Sequence, residues 1–93
     1  MPSIILEGHI VVPGSDLVAV KAALPAHIKL TRQEGGCLCF EVTPDPNAEN
    51  IFSVYEEFID RAAFEKHQSR LRLSEWGRVA ANVKRHYQVR EGD

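Results

Sequence analysis

Nowhere in these 93 residues is there an apolar run approaching the roughly 20 side chains that cross a bilayer. The N-terminus also lacks a basic stretch leading into an apolar signal core, so a cytoplasmic location is the expectation. Charge of one sign is missing too. Eleven Lys and Arg stand against 13 Asp and Glu, a net charge of −2 that gives no general attraction to nucleic acid or anionic membrane. There is no phosphate-cradling Gly-rich loop, H-E-x-x-H, C-x-x-C or nucleophile elbow, and no bound cofactor is expected. Cysteine is scarce: Cys37 and Cys39 are the only two, as C-x-C in an apparent strand. Strand positions i and i+2 share a face about 6.5–7 Å apart, which is poor geometry for a disulfide. No further ligands stand at a metal-binding spacing, so no metal is expected and the thiols read as packing or pocket-lining groups.

What is present is a pattern. Residues 4–12 alternate as a strand, with Ile4, Leu6, Gly8, Ile10 and Val12 on one face and Ile5, Glu7, His9 and Val11 on the other. Ser15 or Asp16 then caps a helix whose stripe is Leu17, Val20, Leu24, His27 and Thr31, and Pro25 should bend or split it near Leu24. Strands follow at 37–43 and 51–58, joined by a turn-rich loop at 44–50. Asp60 caps a second helix carrying Ala63, Phe64, His67 and Leu71 on one side. A third helix from Ser74 presents Trp76, Val79, Ala80 and Val83, and a last strand runs over 83–89.

The order β-α-β-β-α(α)-β predicts one domain over residues 1–93. Its expected class is α+β and ferredoxin-like: a four-stranded antiparallel sheet with helices on one face. Apolar side chains fall on both faces of the first three strands, so the second face should also be covered. A second copy, sheet against sheet in a two-fold dimer, is the economical cover.

Within this frame a few residues can carry chemistry. His67 takes a position where the stripe asks for leucine. It reads either as a satisfied core histidine or as a pocket-facing base, since burial favours the neutral form that accepts a proton. Trp76 and His27 either pack the core or line a cavity for an aromatic ligand. On the third strand Tyr55 and Glu57 share a face with Ser53, opposite Phe52, Val54, Glu56 and Phe58. One acid therefore faces a covered surface and needs a partner, for which Arg85, His86 and His9 are candidates, in what looks like a dimer-core polar network. Arg61, Arg70, Arg72 and Arg78 form either a solvated helix face or a patch for an acidic substrate.

The stretches "HIKLTRQEGGCLCFEVTPDP" (27–46) and "FSVYEEFIDRAAFEKHQS" (52–69) resemble the antibiotic biosynthesis monooxygenase (ABM) domain family. Thr31, Arg32, Glu34, Gly36, Cys37 and Leu38 match its first motif. Tyr55, Glu56 and Phe58, then Ala62, Ala63, Phe64, Glu65 and His67, match the next two. The resemblance implies a dimeric α/β barrel with a pocket in each protomer between sheet and helices. It also implies a cofactor-independent monooxygenase acting on a phenolic or quinol-like aromatic substrate with O2. His67 would assist proton transfer, and Trp76, Phe64, Tyr55, His27 and Phe58 would shape the pocket. Many members carry a second histidine five residues on, where this chain has Arg72. The haem-degrading branch's asparagine, tryptophan and histidine align with Gly8, His67 and Gly77, so haem degradation is not expected. The family also suggests an alternative, a non-catalytic dimeric ligand-binding or stress-associated barrel protein. Quenching of Trp76 by aromatic ligands without turnover would mark that alternative. An RNA-binding module has the same element order but needs a basic, aromatic sheet motif that the third strand lacks, so no nucleic-acid partner is expected.

Overall fold

The computed structural model describes residues 2–92. Strand β1 (Ile4–Val11) leads through a 3₁₀ turn (Gly14–Asp16) into helix α1 (Leu17–Arg32). Strands β2 (Cys37–Asp45) and β3 (Ala48–Phe58) form a hairpin, then come helices α2 (Arg61–Arg72) and α3 (Glu75–Val79) and strand β4 (Lys84–Glu91). The four strands form one antiparallel sheet in the order β2-β3-β1-β4. This is the expected α+β, ferredoxin-like architecture, and among the described residues no helix is long and apolar enough to cross a membrane.

Two-residue alternation decides which side chains enter the core. Leu6, Ile10, Phe52 and Val54 point from the two central strands toward the helices and are buried with Val20, Trp76, Ala80 and Val83. Asp60 caps α2 as the sequence suggests, its carboxylate accepting from the Ala63 N–H at 2.8 Å. Ser74 does the same for α3, accepting from the Gly77 N–H at 3.1 Å.

Several expectations need correcting. Helix α1 runs through Pro25 without splitting. Pro25 and Lys21 both lie on its exposed side, where water can replace the donor that the Lys21 carbonyl loses. Asp16 stands at the head of α1 but makes no side-chain cap bond. The turn-rich loop shrinks to Pro46-Asn47, because β2 and β3 pair out to Asp45 and Ala48, and Asp45 accepts from the Asn47 N–H at 2.8 Å. Cys37 and Cys39 do not share a face. A register shift between them pairs Cys37 with Phe58 and Cys39 with Glu57, so the extra residue, Leu38, reverses the alternation. Both thiols are free.

The outer sheet face is also more polar than its composition suggests. Glu7, His9, Glu41, Thr43 and Ser53 are exposed there, and His9 stacks on His86 with ring centroids 4.7 Å apart. Ile5, Val11 and Ile51 are its aliphatic members on the central pair. A sheet with one wet face needs no cover, so the apolar content of that face does not by itself require a second copy.

Candidate active site

Between the sheet and the helices lies a cavity of about 150 Å³. Phe40, Trp76 and Tyr87 give it aromatic walls, Ile10, Val54 and Leu71 aliphatic ones, and Glu56, His27 and Arg85 supply polar atoms. Glu56 arrives there because it occupies the same face of β3 as Phe52, Val54 and Phe58. Only 5% of it is exposed. Burial, reinforced by the negative charge of Glu34, pushes its carboxyl up to about 7. The same burial, with the Glu56 charge beside it, pushes Tyr87 up to about 12.

His67 stands directly behind Glu56, fully buried two turns into α2. Its Nδ1 donates to the Glu34 carboxylate, at 3.0 Å from Oε2 and 3.2 Å from Oε1. Arg70 holds that carboxylate through Nε at 2.6 Å while reaching the Thr31 hydroxyl at 3.0 Å. An acceptor already engaged by Arg70 fixes the imidazole tautomer with hydrogen on Nδ1 and the lone pair on Nε2. That lone pair faces Glu56 Oε1 across 3.7 Å. Burial lowers the His67 pKa against the opposing pull of Glu34, so the contact between them is a hydrogen bond from a neutral ring. His27 is forced down more strongly, to about 3, by burial and then by His67, Arg70 and Arg85. It stacks on Trp76 with centroids 4.4 Å apart and planes 2° from parallel. His27 Nδ1, Glu56 Oε1 and His67 Nε2 are buried without a hydrogen-bond partner among the described residues.

The structure thus brings His27 and Trp76 to the cavity wall and sets His67 behind Glu56, off the lining. Phe58 packs behind His67, ring centroids 4.8 Å apart, and Phe64 packs on Phe58 at 5.8 Å, so both back the site without bordering the cavity. Tyr55 lies on the other sheet face, near Glu57 and away from the cavity, because it is out of phase with Val54 and Glu56 on β3. The buried acid is Glu56, and its neighbour is His67. Arg85 instead donates to the carbonyls of Val83 and Ala80, while His9 and His86 stack on the outer face. The acid therefore belongs to the interior of the chain, between sheet and helices, and not to a dimer core. Three of the four clustered arginines are engaged within the chain: Arg70 with Glu34, Arg72 with Ser69 and Arg78 with Glu75. Phe40, Tyr87 and Glu34 join the site without standing out in the sequence. Alternation on β2 and β4 places the first two on the helix side, whereas Glu34, in the turn after α1, carries no periodic signal.

No curated protein matches the sequence. Among solved structures, one from Nitrosomonas europaea, assigned as an antibiotic biosynthesis monooxygenase, superposes with a TM-score of 0.83 at 17% identity, covering 97% of this chain and 89% of that one. A Deinococcus radiodurans protein with the same assignment gives 0.76 at 22% identity, covering 97% and 92%. A Pseudomonas aeruginosa protein gives 0.74 at 22% identity, covering 98% and 92%. These likenesses establish the fold. The family model described as antibiotic biosynthesis monooxygenase matches residues 4–79, which contain all the motif residues and most of the cavity, and the chain belongs to that family.

Proposed function

We propose that the protein is a cofactor-independent monooxygenase that oxidises a phenolic or quinol-like aromatic compound with O2, His67 assisting the proton transfer. One observation carries the reading: a partly enclosed, aromatic-walled cavity of one-ring size has a buried acid on its wall and a neutral histidine behind that acid. Apolar cavities of about 150 Å³ take up a benzene ring, and this one measures about 150 Å³. Removing the phenolic proton gives an electron-rich anion that passes one electron to O2. The resulting radical pair joins at a ring carbon, and loss of water leaves a quinone. A phenol and one O2 thus become one quinone and one water. The protein's part is to desolvate and orient the ring and to move the proton. Trp76 and His27 form the wall against which the ring lies, with Phe58 and Phe64 holding His67 in place.

Oxygen uptake with a panel of one-ring phenols and hydroquinones tests this. At least one compound should be consumed above its uncatalysed rate, with one O2 used per quinone formed. Quenching of Trp76 by these compounds with no turnover of any of them would favour the ligand-binding alternative instead.

The reading includes a homodimer with outer sheet faces together. Ile5, Val11, Ile51 and Tyr55 would form the apolar part of that contact. Sedimentation at micromolar concentration should give a dimer, and a monomer there would remove this part of the proposal.

A further inference from the structure

We propose that Glu56 is the group that meets the substrate hydroxyl and hands its proton to His67, while Glu34 is a positioning residue that keeps His67 able to receive it. The inference rests on the oxygenase reading for its reaction, but its geometry stands apart from it. Glu56 borders the cavity and His67 does not, so a bound hydroxyl reaches the imidazole only through the carboxylate. Glu56 Oε1 and His67 Nε2 are both buried and unpartnered, and they face each other at 3.7 Å. A closing movement of about half an ångström makes that gap a hydrogen bond. Buried polar atoms are rarely left unpaired, and two facing each other beside a cavity mark a contact completed when a proton is present.

The step balances. The phenolic O–H breaks and its proton joins the Glu56 carboxylate. Glu56 passes the proton from Oε1 to His67 Nε2, giving an imidazolium whose Nδ1–H stays on Glu34. When the oxygen adduct collapses, the proton returns by the same two groups. With the proton from the ring carbon, it leaves in the water formed. No proton needs to cross to solvent during the step. A carboxyl raised to about 7 populates both of its forms near neutrality, as a shuttle must. The charged and titratable groups around the pair are His27 from α1, Glu34 from the turn after it, Cys37 from β2, Arg70 from α2, and Arg85 and Tyr87 from β4.

The test uses Glu56→Gln and Glu34→Gln, both close in shape to the wild type, with 15N-histidine NMR and oxygen uptake. In the wild type the His67 side chain should show hydrogen on Nδ1 and a bare Nε2. Glu56→Gln should shift the Nε2 resonance, lower kcat at least a hundredfold and leave Trp76 quenching by phenols within threefold. Glu34→Gln should mix the two tautomers and lower kcat about tenfold with KM little changed. An active wild type whose Glu56→Gln variant keeps a third or more of its rate overturns the shuttle and leaves the oxygenase reading intact. If the wild type turns over none of the compounds, that reading fails, and NMR decides for the pair. An Nε2 resonance unmoved by Glu56→Gln then overturns it, and a moved one supports it.

Discussion

Gly8→Ala should cost the fold on the order of 3–5 kcal/mol, the combined scale of a glycine-only backbone conformation and an overpacked core. Gly8 sits in the middle of β1, paired with Val54 on one side and Tyr87 on the other, at a φ of 157°. A Cβ there would be driven into the His86 carbonyl oxygen, with the Tyr87 Cα 2.9 Å away. Both obstacles are backbone atoms of the neighbouring strand, so no rotamer change relieves them. Set against a total of about 5–15 kcal/mol for a domain of this size, the loss should leave much of the protein unfolded. Urea unfolding measures it, with Gly14→Ala as control, because a Cβ at Gly14 meets nothing within 4 Å. A Gly8→Ala protein within about 1 kcal/mol of wild type would contradict the strand register.

The second large effect is on how stability depends on pH. Folding raises Glu56 from 4.5 to about 7, so the stability it contributes is full below pH 4.5 and is lost as pH rises through about 7. His27 works the other way. Lowered from 6.5 to about 3, it contributes fully above pH 6.5 and loses that contribution as pH falls through about 3. Between pH 7 and 4 each group changes stability by about 3 kcal/mol, in opposite directions, so in the wild type the two largely cancel. Variants that remove one of them should expose the other. Relative to wild type, Glu56→Gln should lose about 3 kcal/mol on going from pH 7 to pH 4, and His27→Phe should gain about as much. Comparison with wild type removes the shared contribution of His67, which also falls with acid. Urea midpoints of the three proteins at both pH values provide the measurement. Variants that deviate in the same direction, or by less than about 1 kcal/mol, would contradict the placement of Glu56 and His27 in the interior.

Much of this architecture is legible in the residues because alternation and helical spacing are direct consequences of backbone geometry. Ile4 to Val12 and Phe52 to Phe58 sort themselves into inward and outward sets, and Asp60 announces the helix that carries His67. The same alternation places Glu56 among Phe52, Val54 and Phe58, but it leaves open whether Glu56 or Glu57 is the covered acid. Packing of the helices on that face decides for Glu56, and its partner is His67 instead of a residue in a dimer core. Other features depend on tertiary pairing that no local pattern encodes. The extra residue at Leu38 turns Cys37 and Cys39 apart only because β3 fixes their partners. Glu34 becomes the partner of His67 only when the turn after α1 is brought to α2, 33 residues further along the chain. Pro25 looks like a break and is not one, because it falls on the exposed side of α1.

At the centre of this account is the claim that His67, behind Glu56, takes up the proton of a substrate bound in the one-ring cavity. Oxygen uptake by wild type and His67→Gln, side by side on the best phenol of the panel, tests it most directly. The variant keeps an amide to bond Glu34 but has no basic nitrogen, and a matching circular dichroism spectrum would establish that it folds. The account predicts a kcat at least about a hundredfold below wild type, the usual scale for losing a general base. Equal rates for the two folded proteins would contradict it.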